Sequence, residues 1–204
     1  MAAVEAILFA TDVPLTSAKI SQVLGMAGQS AVNQAVGELN ARYDSAGAAF
    51  YIKSIAGGYQ MQTRPEYEEV VSRLHEDRRE HKLSQAAMET LAIIAYRQPI
   101  LRADIEAIRG VSCGEVLRNL MDKQLAKIVG RADVLGRPML YGTTKRFLEV
   151  FGLSKLEDLP NVEELRGGAP QQAVEAADSA HGEGAEDTAR PEAPQSDGPE
   201  ESRG

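Results

Sequence analysis

Apolar positions along this chain follow two periods, and the order in which those periods occur is repeated. A short apolar helix ends ahead of Pro14, because the residue before a proline is pushed out of helical geometry. The spacing predicts a second helix with Ala18, Ile20, Val23 and Leu24 on its inward face, closed by Gly25 as a left-handed C-cap. A third helix, in SAVNQAVGELNARY, carries Val32, Ala35, Val36 and Leu39 at helical spacing behind Ser30 as N-cap. The period then drops to two: AFYIKSI and YQMQT read as strands joined by AGG, a favourable hairpin turn.

The second copy can be laid over the first. Pro99 falls on Pro14 and Gly110 on Gly25, and Ala95, Ala103, Ile105 and Ile108 fall on Ala10, Ala18, Ile20 and Val23. Its second helix turns Ala103, Ile105 and Ile108 inward. Its third, in SCGEVLRNLMDKQL, does the same with Val116, Leu117, Leu120 and Met121 behind Ser112 as N-cap. LAKIVGR and RPMLYGTT then flank ADVLG as a hairpin. A further helix closes each unit: PEYEEVVSRLHEDRREH, with Pro65 in its first turn, and TKRFLEVFG, opened by Thr143 or Thr144. Three helices followed by a two-stranded wing make a winged helix. The pattern therefore predicts a mainly α fold with small β-hairpin wings (α+β), as two tandem winged-helix domains over residues 1–80 and 81–166.

Composition changes the picture after Arg166. Residues 167–204 contain no Leu, Ile or aromatic residue, so they bury too little apolar area to offset ordering entropy and are expected to form a disordered acidic tail. Nine Asp or Glu there face only Arg190 and Arg203, which puts nearly all of the net charge of -8 in the tail. The rest of the chain is close to neutral. No apolar run approaches the roughly 20 residues a membrane helix needs, and no basic segment followed by an apolar one opens the chain, so the cytoplasm is the expected location. Cys113 is the only cysteine; one chain cannot form a disulfide or a thiolate metal site, and this thiol reads as inert filling near a helix start.

Catalytic chemistry finds little to work with. No phosphate-binding glycine loop is present. His75 and His81 stand six apart, about 120° from one another on a helix, where two metal ligands need one face. Asp104 and Glu106 diverge on their helix and cannot serve one bond as acid and base. The expectation is no enzyme, no catalytic or metal-ligating residue and no cofactor.

Surfaces remain. A DNA-reading third helix would be basic, yet the first copy offers Asn33, Gln34, Glu38, Asn40 and Arg42, and the second sets Glu115 and Asp122 against Arg118 and Lys123. The second wing is more cationic, with Lys127, Arg131, Arg137, Lys145 and Arg146, which either pair with nearby acids or make a modest, salt-sensitive phosphate contact. LSQAAMETLAIIAYRQ is apolar over most of its circumference: Ala87, Leu91 and Ile94 form one row, Met88, Ala92 and Ala95 another, widened by Ile93 and Tyr96. It is either a fully buried central helix or one with a face to spare. After the second wing Phe147 and Phe151 stack at i, i+4, and Leu148, Leu153, Leu156 and Leu159 cap the core or rim a groove for a partner helix.

LSQAAMETLAIIAYRQPILRADIEAIRGV (Leu83 to Val111) and GRPMLYGTTKRFLEVFGLSKLEDLP (Gly136 to Pro160) resemble the bacterial segregation and condensation protein B family, with weaker similarity over residues 1 to 160. The resemblance implies two winged-helix domains and a homodimer formed through the N-terminal ones. It also implies a non-catalytic adaptor that binds the kleisin, segregation and condensation protein A, and through it the SMC ATPase in chromosome condensation. Kleisin contacts are then expected at Leu91, Ile94, Tyr96, Tyr141, Phe147 and Phe151, and self-association at Ile7, Leu8 and Phe9. DNA contact would be indirect or weak, the membrane uninvolved and the location the nucleoid. The competing reading is a winged-helix transcription regulator that reads DNA.

Overall fold

A computed structural model describes residues 1–26, 28–74, 83–161 and Leu165. His75, His81, the end of the helix that follows Pro65 and the acidic tail lie outside the described residues. The fold is mixed, helices with small antiparallel sheets. Its apolar side chains gather in two clusters, one from Val4 to Met61 and one from Leu83 to Leu159, called here the first and second lobes.

In the first lobe α1 (Ala2–Phe9), α2 (Ser17–Leu24) and α3 (Gln29–Ser45) bury Val4, Leu8, Ile20, Val32, Val36 and Leu39. Thr16 caps α2 by accepting the Lys19 N–H at 3.2 Å, and Gly25 ends it at φ 61°. Glu5 ties α1 to α3, accepting from Arg42 at 2.6 Å and from the Tyr43 hydroxyl at 2.9 Å. The Arg42 guanidinium holds its carboxyl below the usual range. Strands β1 (Phe50–Ile55) and β2 (Gly58–Thr63) pair antiparallel across a turn with Ala56 and Gly57 at φ 50° and 73°. Positive φ at both central residues matches the right-handed twist of a hairpin. After a 3₁₀ turn opened by Pro65, α4 (Glu68–Leu74) follows with no buried residue.

The second lobe repeats the order with α5 (Gln85–Arg97), α6 (Arg102–Arg109), α7 (Gly114–Asp122), β4 (Ala126–Arg131), β5 (Met139–Thr143) and α8 (Lys145–Phe151). Between α5 and α6 lies β3 (Ile100–Leu101), which pairs with β5 and makes a three-stranded sheet in the order β3-β5-β4 where periodicity predicts only a hairpin. Two residues are too short to leave an alternating pattern. The first lobe has the same feature reduced to one bridge, Leu15 to Tyr59. Thr144, not Thr143, caps α8, accepting the Phe147 N–H at 3.2 Å.

Two sequence expectations are corrected. Neither Ser30 nor Ser112 caps its helix: α3 starts from Gly28, with Ser30 inside its first turn, and α7 starts from Cys113. Glu106 of the neighbouring helix accepts both the Cys113 N–H at 2.9 Å and the Ser112 hydroxyl at 3.2 Å, so that hydroxyl is drawn to the charged acceptor and not to the first turn of α7. The inward faces of α2 and α6 are narrower than predicted. Ile20 and Ile105 are buried and Leu24 half-buried, but Ala18, Val23, Ala103 and Ile108 are exposed. An eight-residue helix touches its core along one stripe only. Arg109 occupies the place of Leu24 in the second copy, its side chain only 9% exposed and paired with Glu89 at 3.3 Å.

Among the described residues the lobes touch at the β1–β2 hairpin. The β1–β2 turn donates from Ala56 N–H to the Leu153 carbonyl (2.8 Å) and from Gly57 N–H to the Ser154 carbonyl (3.1 Å), and the Ser54 and Ser154 hydroxyls lie 2.7 Å apart.

Candidate partner-binding surfaces

Six side chains of the second lobe are candidates for partner contact, and the fold separates them. Leu91, Ile94 and Phe147 belong to the core; Phe147, the most exposed of the three, shows 3% of its surface. A side chain with no free surface offers a partner nothing to touch, so these three are corrected to core residues. The α5 row Ala87, Leu91 and Ile94 is turned into the core, while Met88 and Ala92 look outward. Tyr141 is half-buried against the cluster, and half-buried Tyr96 donates its hydroxyl to the Pro160 carbonyl at 2.8 Å. Phe151 is 38% exposed, its ring 4.8 Å from that of Phe147 at 37°. Leu148, Leu153, Leu156 and Leu159 all pack on the core.

The three candidates of the first lobe divide in the same way. Leu8 is fully buried and is corrected to the core, Ile7 is half-buried, and Phe9 is 81% exposed. Residues on one turn of helix point in different directions, so an apolar triplet cannot all face one partner.

Exposed apolar residues that periodicity misassigns stand beside these. Val23 and Ile108, aligned in the repeat, are both exposed, as are Val111 and Met88. Val134 and Leu135 stand free at the tip of the second hairpin. Their signal in the sequence is plain: two adjacent aliphatics inside a five-residue loop.

Polar side chains of α3 that could read bases are engaged within the fold. Asn40 exchanges two hydrogen bonds with the Ile52 backbone (2.8 and 2.9 Å), Asn33 accepts from Ser17 and Tyr59, Gln34 donates to Glu38 and Arg42 to Glu5. On α7, Arg118 leans to Glu115 at 3.4 Å. Of the five cations around the second hairpin, only Arg146 pairs with a carboxylate among the described residues, Glu149 at 3.6 Å.

The densest polar cluster is structural. One Glu106 oxygen accepts the Cys113 N–H and Arg102 Nε, each at 2.9 Å, and the Ser112 hydroxyl at 3.2 Å. The Cys113 N–H first and Arg102 second pull its pKa from 4.5 to about 2. Burial pushes the Cys113 thiol up, away from a reactive thiolate. A depressed carboxylate contributes stability above its unfolded pKa and loses it as pH falls through the folded one. Glu106→Gln is therefore expected to melt below the wild type at neutral pH, with the gap closing from about pH 4.5 towards about pH 2. Circular dichroism melts across that range check it; a gap independent of pH would contradict it. Among the described residues, no three His, Cys, Asp or Glu side chains gather where they could hold one metal ion, and no helix is long and apolar enough to cross a membrane.

A family model described as segregation and condensation complex subunit ScpB matches residues 2–162. The chain belongs to that family. Among ScpB relatives, segregation and condensation protein B of Syntrophotalea carbinolica is 48% identical over 164 residues, covering 80% of this chain and 82% of the relative. That of Alkaliphilus metalliredigens is 42% identical over 164 residues, covering 80% and 86%. The crystal structure of ScpB from Mycobacterium tuberculosis is 31% identical, covers 74% of this chain and 94% of its own, and aligns with a TM-score of 0.35. The family is one of SMC-associated segregation and condensation subunits.

Proposed function

We propose that this ScpB-family chain is a non-catalytic, dimeric adaptor. In this reading the two lobes are tandem winged-helix domains. The first joins two copies, and the second binds the kleisin, segregation and condensation protein A, which connects the dimer to the SMC ATPase in chromosome condensation at the nucleoid. The observation that carries the reading is the apolar surface each core leaves outside: exposed Phe9 and half-buried Ile7 in the first lobe, and exposed Phe151 with half-buried Tyr96 and Tyr141, all packed around or on one cluster, in the second. Contiguous exposed apolar patches mark interaction sites on proteins, and each of these pairs an exposed ring with further apolar surface of its own lobe. A base-reading regulator is less well supported, because the polar side chains of α3 already have partners inside the fold.

Burying one phenylalanine at an interface is worth about 1.5–3 kcal/mol, roughly a 10- to 100-fold change in dissociation constant. Phe9→Asp is expected to convert a dimer to a monomer in light scattering at micromolar concentration. Phe151→Asp is expected to weaken kleisin binding more than about tenfold in calorimetry while the melting temperature holds. A wild type that is monomeric and indifferent to kleisin would sink the proposal.

A further inference from the structure

The β1–β2 turn closes its hairpin and also grips the other lobe. Positive φ at Ala56 and Gly57 aims two successive N–H groups at two successive carbonyls, Leu153 at 2.8 Å and Ser154 at 3.1 Å. The Ser54 and Ser154 hydroxyls add a third hydrogen bond at 2.7 Å. A Cβ on Gly152 would stand 3.2 Å from Lys53 Nζ, so the hairpin also reaches the residue that follows Phe151. Ala56, at the turn itself, is buried where a hairpin tip is ordinarily open to water.

These contacts fall on a strap, residues 152–160, with a candidate docking ring at each end. Phe151 directly precedes it, and the Tyr96 hydroxyl donates to the Pro160 carbonyl at its far end. Inside the strap Asp158 accepts the Ser154 and Lys155 N–H groups at 2.9 and 3.1 Å, while Leu153, Leu156 and Leu159 pack on the second core. The hairpin fastens the strap through its backbone and leaves the Phe151 ring 38% exposed. A latch that holds carbonyls and leaves the ring open favours a partner at that ring, because a pre-shaped surface loses less freedom on binding. Neither apolar cluster contains a residue of the other lobe, so polar contacts and not a shared core hold the junction. A hydrogen bond that replaces one to water shifts an equilibrium by roughly two- to tenfold, so three leave opening within reach of a partner's influence. A partner that needs the latched shape binds in proportion to the closed fraction, and by linkage its binding favours closure.

We propose that the kleisin-binding surface is composite: the β1–β2 hairpin of the first lobe completes it by latching the strap beside Phe151, and latch closure and partner binding reinforce one another. The inference rests on the kleisin reading and gives the first lobe a role beyond joining two copies.

Ser54→Cys with Ser154→Cys in the full chain locks the latch. Cys113 is the sole native thiol and is buried, so mild oxidation is expected to join the new pair within one chain, read by intact mass and a non-reducing gel. A disulfide that fails to form, or forms between chains, overturns the latch. Ser54→Asp with Ser154→Asp sets two like charges where the hydroxyls lie 2.7 Å apart and is expected to open it. The radius of gyration in small-angle scattering should rise, and kleisin binding in calorimetry should weaken about tenfold at an unchanged melting temperature. Ser54→Lys with Ser154→Asp turns the repulsion into attraction and should recover the wild-type affinity, which a merely structural defect would not allow. The oxidised cysteine pair should bind purified kleisin at least as tightly as the reduced pair. Weaker binding on oxidation, or tighter binding by the double aspartate, overturns the reinforcement and makes the hairpin a competitor of the partner. Wild-type affinity in both the double aspartate and the oxidised chain overturns the coupling and leaves the kleisin reading intact. A wild type that ignores kleisin removes that reading and the coupling together.

Discussion

Phe147→Ala is expected to lower the stability of the second lobe by about 3–5 kcal/mol, the range for truncating a fully buried phenylalanine and leaving a cavity. The ring is packed in a cluster with Leu91, Ile94, Leu117 and Leu120, and the Phe151 ring lies against it at 4.8 Å. Domains of this size hold about 5–15 kcal/mol in all, so the variant loses a large share of it. Its melting temperature should fall by more than about 12 °C. Phe151→Ala, one helical turn away and partly exposed, should stay within about 1 kcal/mol of the wild type. Thermal unfolding of the two variants side by side distinguishes a core ring from a docking ring. If Phe147→Ala melts like the wild type, its reassignment to the core is wrong and the residue returns to the partner surface.

The second large effect concerns Gly58. A Cβ there would stand 2.8 Å from the backbone carbon and oxygen of Leu15. Neither segment can back away cheaply, because Leu15 and Tyr59 exchange backbone hydrogen bonds at 3.0 and 2.8 Å. Gly58→Ala is expected to cost about 1–3 kcal/mol by overpacking, and about 1 more for each bridge bond lost. The strain falls next to Gly57, whose N–H reaches Ser154, so the contact between lobes should loosen with it. Gly37 in α3 is the control: nothing lies within 4 Å of its Cβ position, and Gly37→Ala should stabilise by up to about 1 kcal/mol. Urea denaturation of both variants reads the two signs. Equal stability for the Gly58 and Gly37 variants would show that the Leu15 segment yields freely.

Much of the local structure was legible before any coordinates. Gly25, Gly110 and Pro99 mark real helix ends, the glycines as left-handed C-caps at φ 61° and 72° and Pro99 directly after the C-cap of α5, whereas α1 already ends at Phe9, ahead of Pro14. Thr144 and Pro65 start helices, and AGG makes the first hairpin turn. These signals survive in sequence because proline, glycine and capping hydroxyls act on their own backbone within a turn. The cap assigned to Ser112 failed for the complementary reason: its competitor, Glu106, is close in space only after α6 has folded against α7.

The candidate site was less legible. Apolar spacing correctly marked Leu91, Ile94 and Phe147 as belonging to broad stripes, but a stripe does not say which part of it meets the core. It also could not tell Leu8 from Phe9, or show that Arg109 takes the half-buried place held by Leu24 in the first copy.

The sequence by itself determined the order of the helices and hairpins, the repeat, and the family to which the chain belongs, because each is written in signals between near neighbours along the chain; the two-residue β3 was too short to show. Only the tertiary structure decided which apolar side chains are spent in the two cores, that one hairpin is docked while the other stands free, and which cations lack a partner. Burial and pairing are set by elements distant in sequence arriving at one place, and no local period encodes that arrival.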